Sequence, residues 1–224
     1  MSRFKTILFD SLELLMVLLL GFGLFWGSAF KDGPVSTGII FSSHQFYILV
    51  ILEVVLLSVV SSILKFRKWK LKDFNLGFNW SLPLIAIVLV LVRIGLGAVL
   101  RILFSGLGFD MGQPANIQLE ASLLSCILVV LINSIYEEAL LLGYLFKRLE
   151  KFSPVIIILI SLILRESYHL YQGWYRLPSG IALGLVYGVY YFKYRKLWPP
   201  IMAHGITNAL SFLSIYYQWE WLDW

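Results

Sequence analysis

The chain has 224 residues, 59% of them apolar and only 14% charged, with a formal net charge of +5. A soluble domain is ordinarily about half apolar and a quarter charged, so a water-soluble fold around one core is excluded. The basic residues stand in short blocks beside long apolar runs, which reads as topology control in a bilayer and not as a nucleic-acid footprint.

The apolar runs predict seven helices. The first, 7–26, follows Arg3 and Lys5 as a signal peptide would. No small-residue cleavage site follows it, and it carries Asp10 and Glu13, so a retained helix is expected. Further spans are expected at 46–64, 82–104, 119–146, 154–171, 177–192 and 198–217. Each is near the ~20 residues that cross ~30 Å of hydrocarbon, the sixth being short. Helices are required because lipid offers the backbone no hydrogen-bond partner, and no period-two run of a barrel is present. The lone cysteine, Cys126, rules out an internal disulfide framework or thiolate metal cluster.

The connections alternate in charge. Lys65, Arg67, Lys68, Lys70 and Lys72 follow the second span, Lys147, Arg148 and Lys151 the fourth, and Lys193, Arg195 and Lys196 the sixth. The others carry Lys31 with Asp32, Asp110, or Arg176, and the tail carries Glu220 and Asp223. The positive-inside rule then predicts a cytoplasmic N-terminus and an external C-terminus. Tyr216, Tyr217, Trp219, Trp221 and Trp224 read as an interfacial aromatic belt. Residues 65–80 are expected along the inner surface as a short amphipathic segment. Gly180, Gly184 and Gly188 read as a small-residue packing face. The expected fold is all-α, a polytopic transmembrane helix bundle. Residues 1–118 supply N-terminal helices and an inner-face loop, 119–217 a core holding the polar cluster, and 218–224 an external aromatic tail.

Ionisable groups in a bilayer cost from ~2.5 kcal/mol upward, so a cluster needs a reason. Three pieces form one: Asn133 with Glu137 and Glu138; Arg165, Glu166 and His169; His204 and Asn208. His204 and Asn208 are four apart and share a helical face, Arg165 and His169 are also four apart, and Glu166 and His169 three apart. Glu137 and Glu138 point about 100° apart, so one is free to face a cavity while the other pairs with a neighbouring helix. At ~1.5 Å per residue Glu137 and His204 lie roughly 10–15 Å deep and His169 nearer ~22 Å, a gap that a tilted or broken fifth helix closes. A carboxylate and an imidazole in a dry cavity can hold and deprotonate a water, the general-base half of peptide hydrolysis. A second histidine with an asparagine offers donors to an oxyanion. Glu53 and Arg93, in the second and third spans, are expected to form an interhelical ion pair or to line a solvent cavity, with substrate access as the alternative. His44 is expected to be solvated, and Glu13 has no reading.

Over residues 119–217 these pieces resemble the CPBP (Abi) family of intramembrane proteases, which includes the type II CAAX prenyl endopeptidases. The family pattern is two glutamates followed after three residues by arginine, then Phe-x-x-x-His, then His-x-x-x-Asn. Here it reads Glu137–Glu138, then Arg165 through His169, then His204-Gly-Ile-Thr-Asn208 within LWPPIMAHGITNAL. The resemblance implies that Glu137 and His169 activate the water, that His204 and Asn208 form the oxyanion hole, and that Glu138 supports the site, with Arg165 and Glu166 beside it. A metal-free glutamate protease is favoured. Zinc held by Glu137, His169 and His204 is the alternative, and the helix-borne His-Glu-x-x-His signature is absent. Leu142 stands where the pattern has arginine and Arg165 where it has phenylalanine; pairing of Arg165 with Glu138 would restore the missing cation.

The expected activity is endopeptidase cleavage of a membrane-associated peptide or protein in a multi-pass protein of the bacterial cytoplasmic membrane. For a bacterial source, peptide maturation or self-immunity to a secreted peptide is expected over a prenylated substrate. The alternative is a non-catalytic scaffold that regulates another membrane enzyme, with a membrane protein as partner. A proton-coupled transporter would also explain buried carboxyls, but no inverted repeat or matched pair of broken helices is visible.

Overall fold

A computed structural model of the chain describes residues 3–31, 38–113 and 116–219, with side chains over 8–27 in the first stretch. Asp32, Glu220, Trp221, Asp223 and Trp224 lie outside the described residues, as do the side chains of Arg3, Lys5 and Lys31.

The fold is a bundle of helices: α1 (Arg3–Lys31), α2 (Ser43–Phe66), α3 (Leu82–Gly106), α4 (Leu123–Arg148), α5 (Pro154–Ser167), α6 (Leu177–Tyr194) and α7 (Trp198–Tyr217). Among the described residues, Leu8–Gly27, α2, α3 and α4 are long and apolar enough to cross a membrane by length and composition. Their outer faces carry exposed Leu8, Leu12, Leu15, Ile51, Val55, Leu84 and Leu91, as lipid requires and water would penalise. Local signals set the ends. Ser42 and Gln45 form a capping box on α2, Ser153 caps α5 ahead of Pro154, and α7 starts at Trp198-Pro199-Pro200.

Two boundaries fall short of the sequence expectation, while α1 exceeds it at both ends, Arg3–Lys31 against 7–26. The fourth helix starts at Leu123 and not 119, because β2 (Ile117–Glu120) extends alongside β1 (Ile39–Ser42) as a parallel pair in register Ile39↔Ile117 to Ser42↔Glu120. This pair ties the first connection to the third, and Ser43 Oγ accepts from the Ser122 amide at 2.7 Å. The fifth helix ends at Ser167 and not 171. At ~1.5 Å per residue α5 is only about 21 Å long. The chain then runs through two 3₁₀ turns, Leu170–Gln172 and Trp174–Arg176, hinged at Gly173 with φ +78°.

The second, fourth and sixth connections gather at one end of the bundle. Arg67 and Arg148 both reach Asp10, at 2.9 and 2.6 Å, and both reach Glu13, at 2.8 and 3.5 Å. Tyr144 also donates to Glu13 at 3.2 Å, so an unexplained carboxyl of the first span is an ion-pair partner. Within 65–80, Trp69 packs on Tyr144 and Asn75 accepts from the Leu197 amide at 3.3 Å, while Leu71, Phe78 and Trp80 stay exposed. At the far end of α7, exposed Tyr216 and Tyr217 cluster with Trp219.

The glycine face of α6 lets α5 approach closely. A Cβ at Gly184 would meet Leu162 at 3.4 Å and one at Gly188 would meet Ile158 at 3.4 Å, both ordinary or tight contacts. At Gly180 it would run into the Glu166 carboxylate, which Arg176 holds at 3.1 Å. Alanine there gains about 0.5–1 kcal/mol of helix propensity but forces the Glu166 carboxylate away from Arg176, leaving a largely buried charge unpaired. Gly180→Ala is therefore expected to lower the thermal unfolding midpoint in detergent, while Gly95→Ala, with nothing within 4 Å, is not.

Candidate active site

Three helices bring the polar pieces together. On α4, Asn133 and Glu137 are four apart and share a face, and Glu138 turns toward α5 and α7. Glu137 Oε2 accepts from Arg165 Nη1 at 3.0 Å and from the Tyr168 hydroxyl at 2.6 Å. Glu138 accepts from Arg165 Nη2 at 2.8 and 2.9 Å. The two carboxyls thus clasp one guanidinium that is 1% exposed, and Glu138 itself is 0% exposed. Such a pairing is the condition under which charges survive burial.

From α7, His204 Nδ1 lies 2.7 Å from Glu138 Oε1, and since a carboxylate only accepts, the nitrogen donates. Asn208 Nδ2 donates to Asn133 Oδ1 at 3.2 Å. One face of α7 therefore meets α4 twice, at successive turns. His169 lies in the turn beyond α5, not on a helical face shared with Arg165. That turn brings it across the depth gap, to 3.7 Å between Nε2 and Glu137 Oε1. Its ring packs on Tyr168 with centroids 4.5 Å apart. Glu166 points the other way, to Arg176 and Gly180.

A cavity of about 160 Å³ opens on this arrangement, lined by Phe22, Phe25, Leu49, Glu53, Asn133, Tyr136, Glu137, Tyr168, His169 and Tyr171. Its walls come from α1, α2, α4 and the turn after α5. Tyr136 donates to the Gly21 carbonyl at 2.6 Å and Trp26 to Ser167 at 2.7 Å, so α1 is pinned over the cavity. Glu137 and His169 line it; His204 and Asn208 stand behind, joined to it through Glu138 and Asn133.

The interhelical pair expected between Glu53 and Arg93 is not formed. Arg93 donates to Ser179 of α6, and Glu53 accepts from Asn133 at 2.7 Å on the opposite side of α4. Hydropathy sets a residue's depth but not the direction it faces around its helix, and that direction separates the two. Of the expected alternatives, Glu53 takes the cavity. Tyr168 and the bridging role of Asn133 were not foreseen. Asn133 had a signal in its four-residue spacing from Glu137, whereas Tyr168 had none.

For a metal, the expected ligands were Glu137, His169 and His204. Among the described residues no three His, Cys, Asp or Glu side chains are grouped to hold an ion. One oxygen of Glu137 is taken by Arg165 and Tyr168, and Nδ1 of His204 by Glu138. No step below is routed through an ion.

Long apolar helices that enclose paired carboxyls, a guanidinium and two imidazoles define an integral membrane protein with an ionisable site shut among its helices. Residues 119–210, which carry nearly all of that site, match the family model described as Type II CAAX prenyl endopeptidase Rce1-like. Over those residues the chain is similar to the CPBP family, to which that model belongs. No curated protein and no solved structure matches the chain.

The Arg165 clasp is expected to hold the bundle together as well as the site. Arg165→Ala strands two buried carboxyls and should cost about 3–5 kcal/mol in a detergent unfolding titration. Neutralising Glu138 in the same chain should return part of that loss. Strictly additive effects in the double-mutant cycle would rule the pairing out.

Proposed function

We propose that the chain is an intramembrane endopeptidase of the metal-free glutamate type, acting on a membrane-associated peptide or protein. The observation that carries this reading is the division of labour within one carboxyl. Glu137 Oε2 is anchored by Arg165 and Tyr168, which leaves Oε1 facing His169 Nε2 at 3.7 Å across the cavity. That separation is too long for a direct hydrogen bond and suits one water held by both. Glu137 takes the proton of that water as its oxygen attacks the scissile carbonyl. Glu138 serves as counter-ion to His204, which as an imidazolium donates to the oxyanion through Nε2. Asn208 adds its second amide hydrogen.

The family match supports a protease, and the enclosed position of the site supports hydrolysis inside the bilayer. The reading includes seven spans, with α5 to α7 crossing despite their shorter or more polar runs. It also places the N-terminus in the cytoplasm of a bacterial cell, since the basic connections gather at one end of the bundle. The substrate would then be a leader-bearing or secreted peptide presented at the membrane, with a membrane protein as possible partner.

The test restores a deletion strain with wild type or with Glu137→Ala at matched expression and compares peptide termini in membranes and medium by mass spectrometry. Termini made by wild type should fall at least about 100-fold with Glu137→Ala, as expected for loss of a general base. Full rescue of the deletion phenotype by the variant, with every terminus unchanged, would replace hydrolysis with the scaffold reading. Chelation by 1,10-phenanthroline should leave terminus formation unaltered; loss that added zinc reverses would transfer Glu137, His169 and His204 to a metal.

A further inference from the structure

Glu53 lies on α2, outside residues 119–210, yet it delivers a second carboxyl to the same cavity. It is 1% exposed. Its Oε1 accepts from Asn133 Nδ2 at 2.7 Å, and the same nitrogen donates to Glu137 Oε1 at 3.2 Å, so one amide bridges the two carboxyls. Its Oε2 is buried and has no hydrogen-bond partner among the described residues. A buried polar atom without a partner is costly, and Glu53 is a wall residue of the cavity, so a small shift of its side chain would bring that oxygen to whatever enters.

The charges differ between the two. The guanidinium of Arg165 is matched by Glu137 and Glu138, with the Tyr168 hydroxyl added on Glu137. Glu53 receives a neutral amide, and no ion pair reaches it among the described residues. A third negative charge in this enclosed place would have nothing to offset it. Two carboxyls whose surroundings hold one charged and the other neutral are the arrangement that divides base from acid in a hydrolase.

We propose that Glu53, in its acid form, is the catalytic proton donor to the departing amine, a role that rests on the peptidase reading above. The water oxygen bonds to the carbonyl carbon while Glu137 takes a proton from it. Collapse of the tetrahedral adduct breaks the C–N bond, and the nitrogen takes the proton of Glu53. The products are a carboxyl terminus and an amine, with Glu137 protonated and Glu53 ionised. One proton passing from Glu137 to Glu53 resets the pair.

Glu53→Gln keeps an oxygen for the Asn133 bond and removes the acid. Terminus formation in the restored deletion strain should fall about 100-fold or more with an unchanged unfolding midpoint. The cleaved peptide is then synthesised twice, with the scissile amide and with an ester in its place, and assayed on purified full-length protein. An alkoxide departs with less proton assistance than an amine, so Glu53→Gln should slow the ester much less than the amide. Glu137→Gln should slow both alike. If Glu53→Gln does not assemble, Glu53→Asp takes its place, and it too should impair the amide more than the ester.

Wild-type rate on the amide, or equal losses on amide and ester, would overturn the donor role while Glu137→Gln still upheld the peptidase reading. Termini left intact by Glu137→Gln would overturn both.

Discussion

Arg165 is the charge around which the bundle closes. A guanidinium that is 1% exposed sits between two carboxyls of α4, and each carboxyl is bonded onward, to Tyr168 or to His204. α4, α5 and α7 are therefore joined where a bilayer protein can least tolerate an unpaired charge. The rest of the packing serves that contact. Gly184 and Gly188 let α6 come close behind α5, and Gly180 makes room for the neighbouring Glu166 carboxylate. Ser161 of α5 donates to the Leu141 carbonyl at 3.1 Å, in the π turn Ala139–Tyr144 that follows the paired glutamates. Held in this way, the carboxyls need little rearrangement to meet a developing charge, which is what electrostatic preorganisation requires.

The helices of the N-terminal half finish what α4 to α7 begin. α1 supplies Phe22 and Phe25 to the cavity, with Phe22 stacked on Tyr168 at 5.2 Å between centroids. α2 supplies Leu49 and Glu53. Without them Glu137 and His169 would lose two walls of their cavity. The matched residues 119–210 carry the polar cluster, but the cavity beside it is closed by residues that lie outside that match.

Much of this was legible in the sequence, for identifiable reasons. Apolar runs located every helix, because the free energy of placing a backbone in lipid is dominated by local composition. The four-residue spacing of His204 and Asn208 placed them correctly on one face, whereas the same spacing of Arg165 and His169 did not, because the helix ends at Ser167. What failed was long-range or irregular. The β1–β2 pair joins residues 39–42 to 117–120, and four residues of strand leave no local periodicity. The end of α5 was overrun, because an apolar helix that breaks into 3₁₀ turns looks from its composition like one that continues. For Glu53 and Arg93 hydropathy gives a depth but no direction, so of the two expectations the ion pair is not made and the cavity position holds for Glu53.

The π turn has a geometric consequence for α4. Tyr136, Leu140, Tyr144 and Arg148 are spaced by four. Tyr136 bonds Gly21, Leu140 lies against it, and Tyr144 and Arg148 bond Glu13, all on α1. In a regular α-helix residues four apart drift by about 40° at each step, and the last would have rotated well away from its neighbour. Hydrogen bonds to the fifth residue instead of the fourth slow that rotation. The widened turn thus works as a phase corrector. It keeps α4 and α1 in contact from the cavity down to the charged network of Asp10, Glu13, Arg67 and Arg148. Wound as a regular α-helix with no residue removed, the same segment would leave Glu137 and Glu138 in place but swing Arg148 off α1 by about 120°, uncoupling the two ends of a helix that now acts as a single rod.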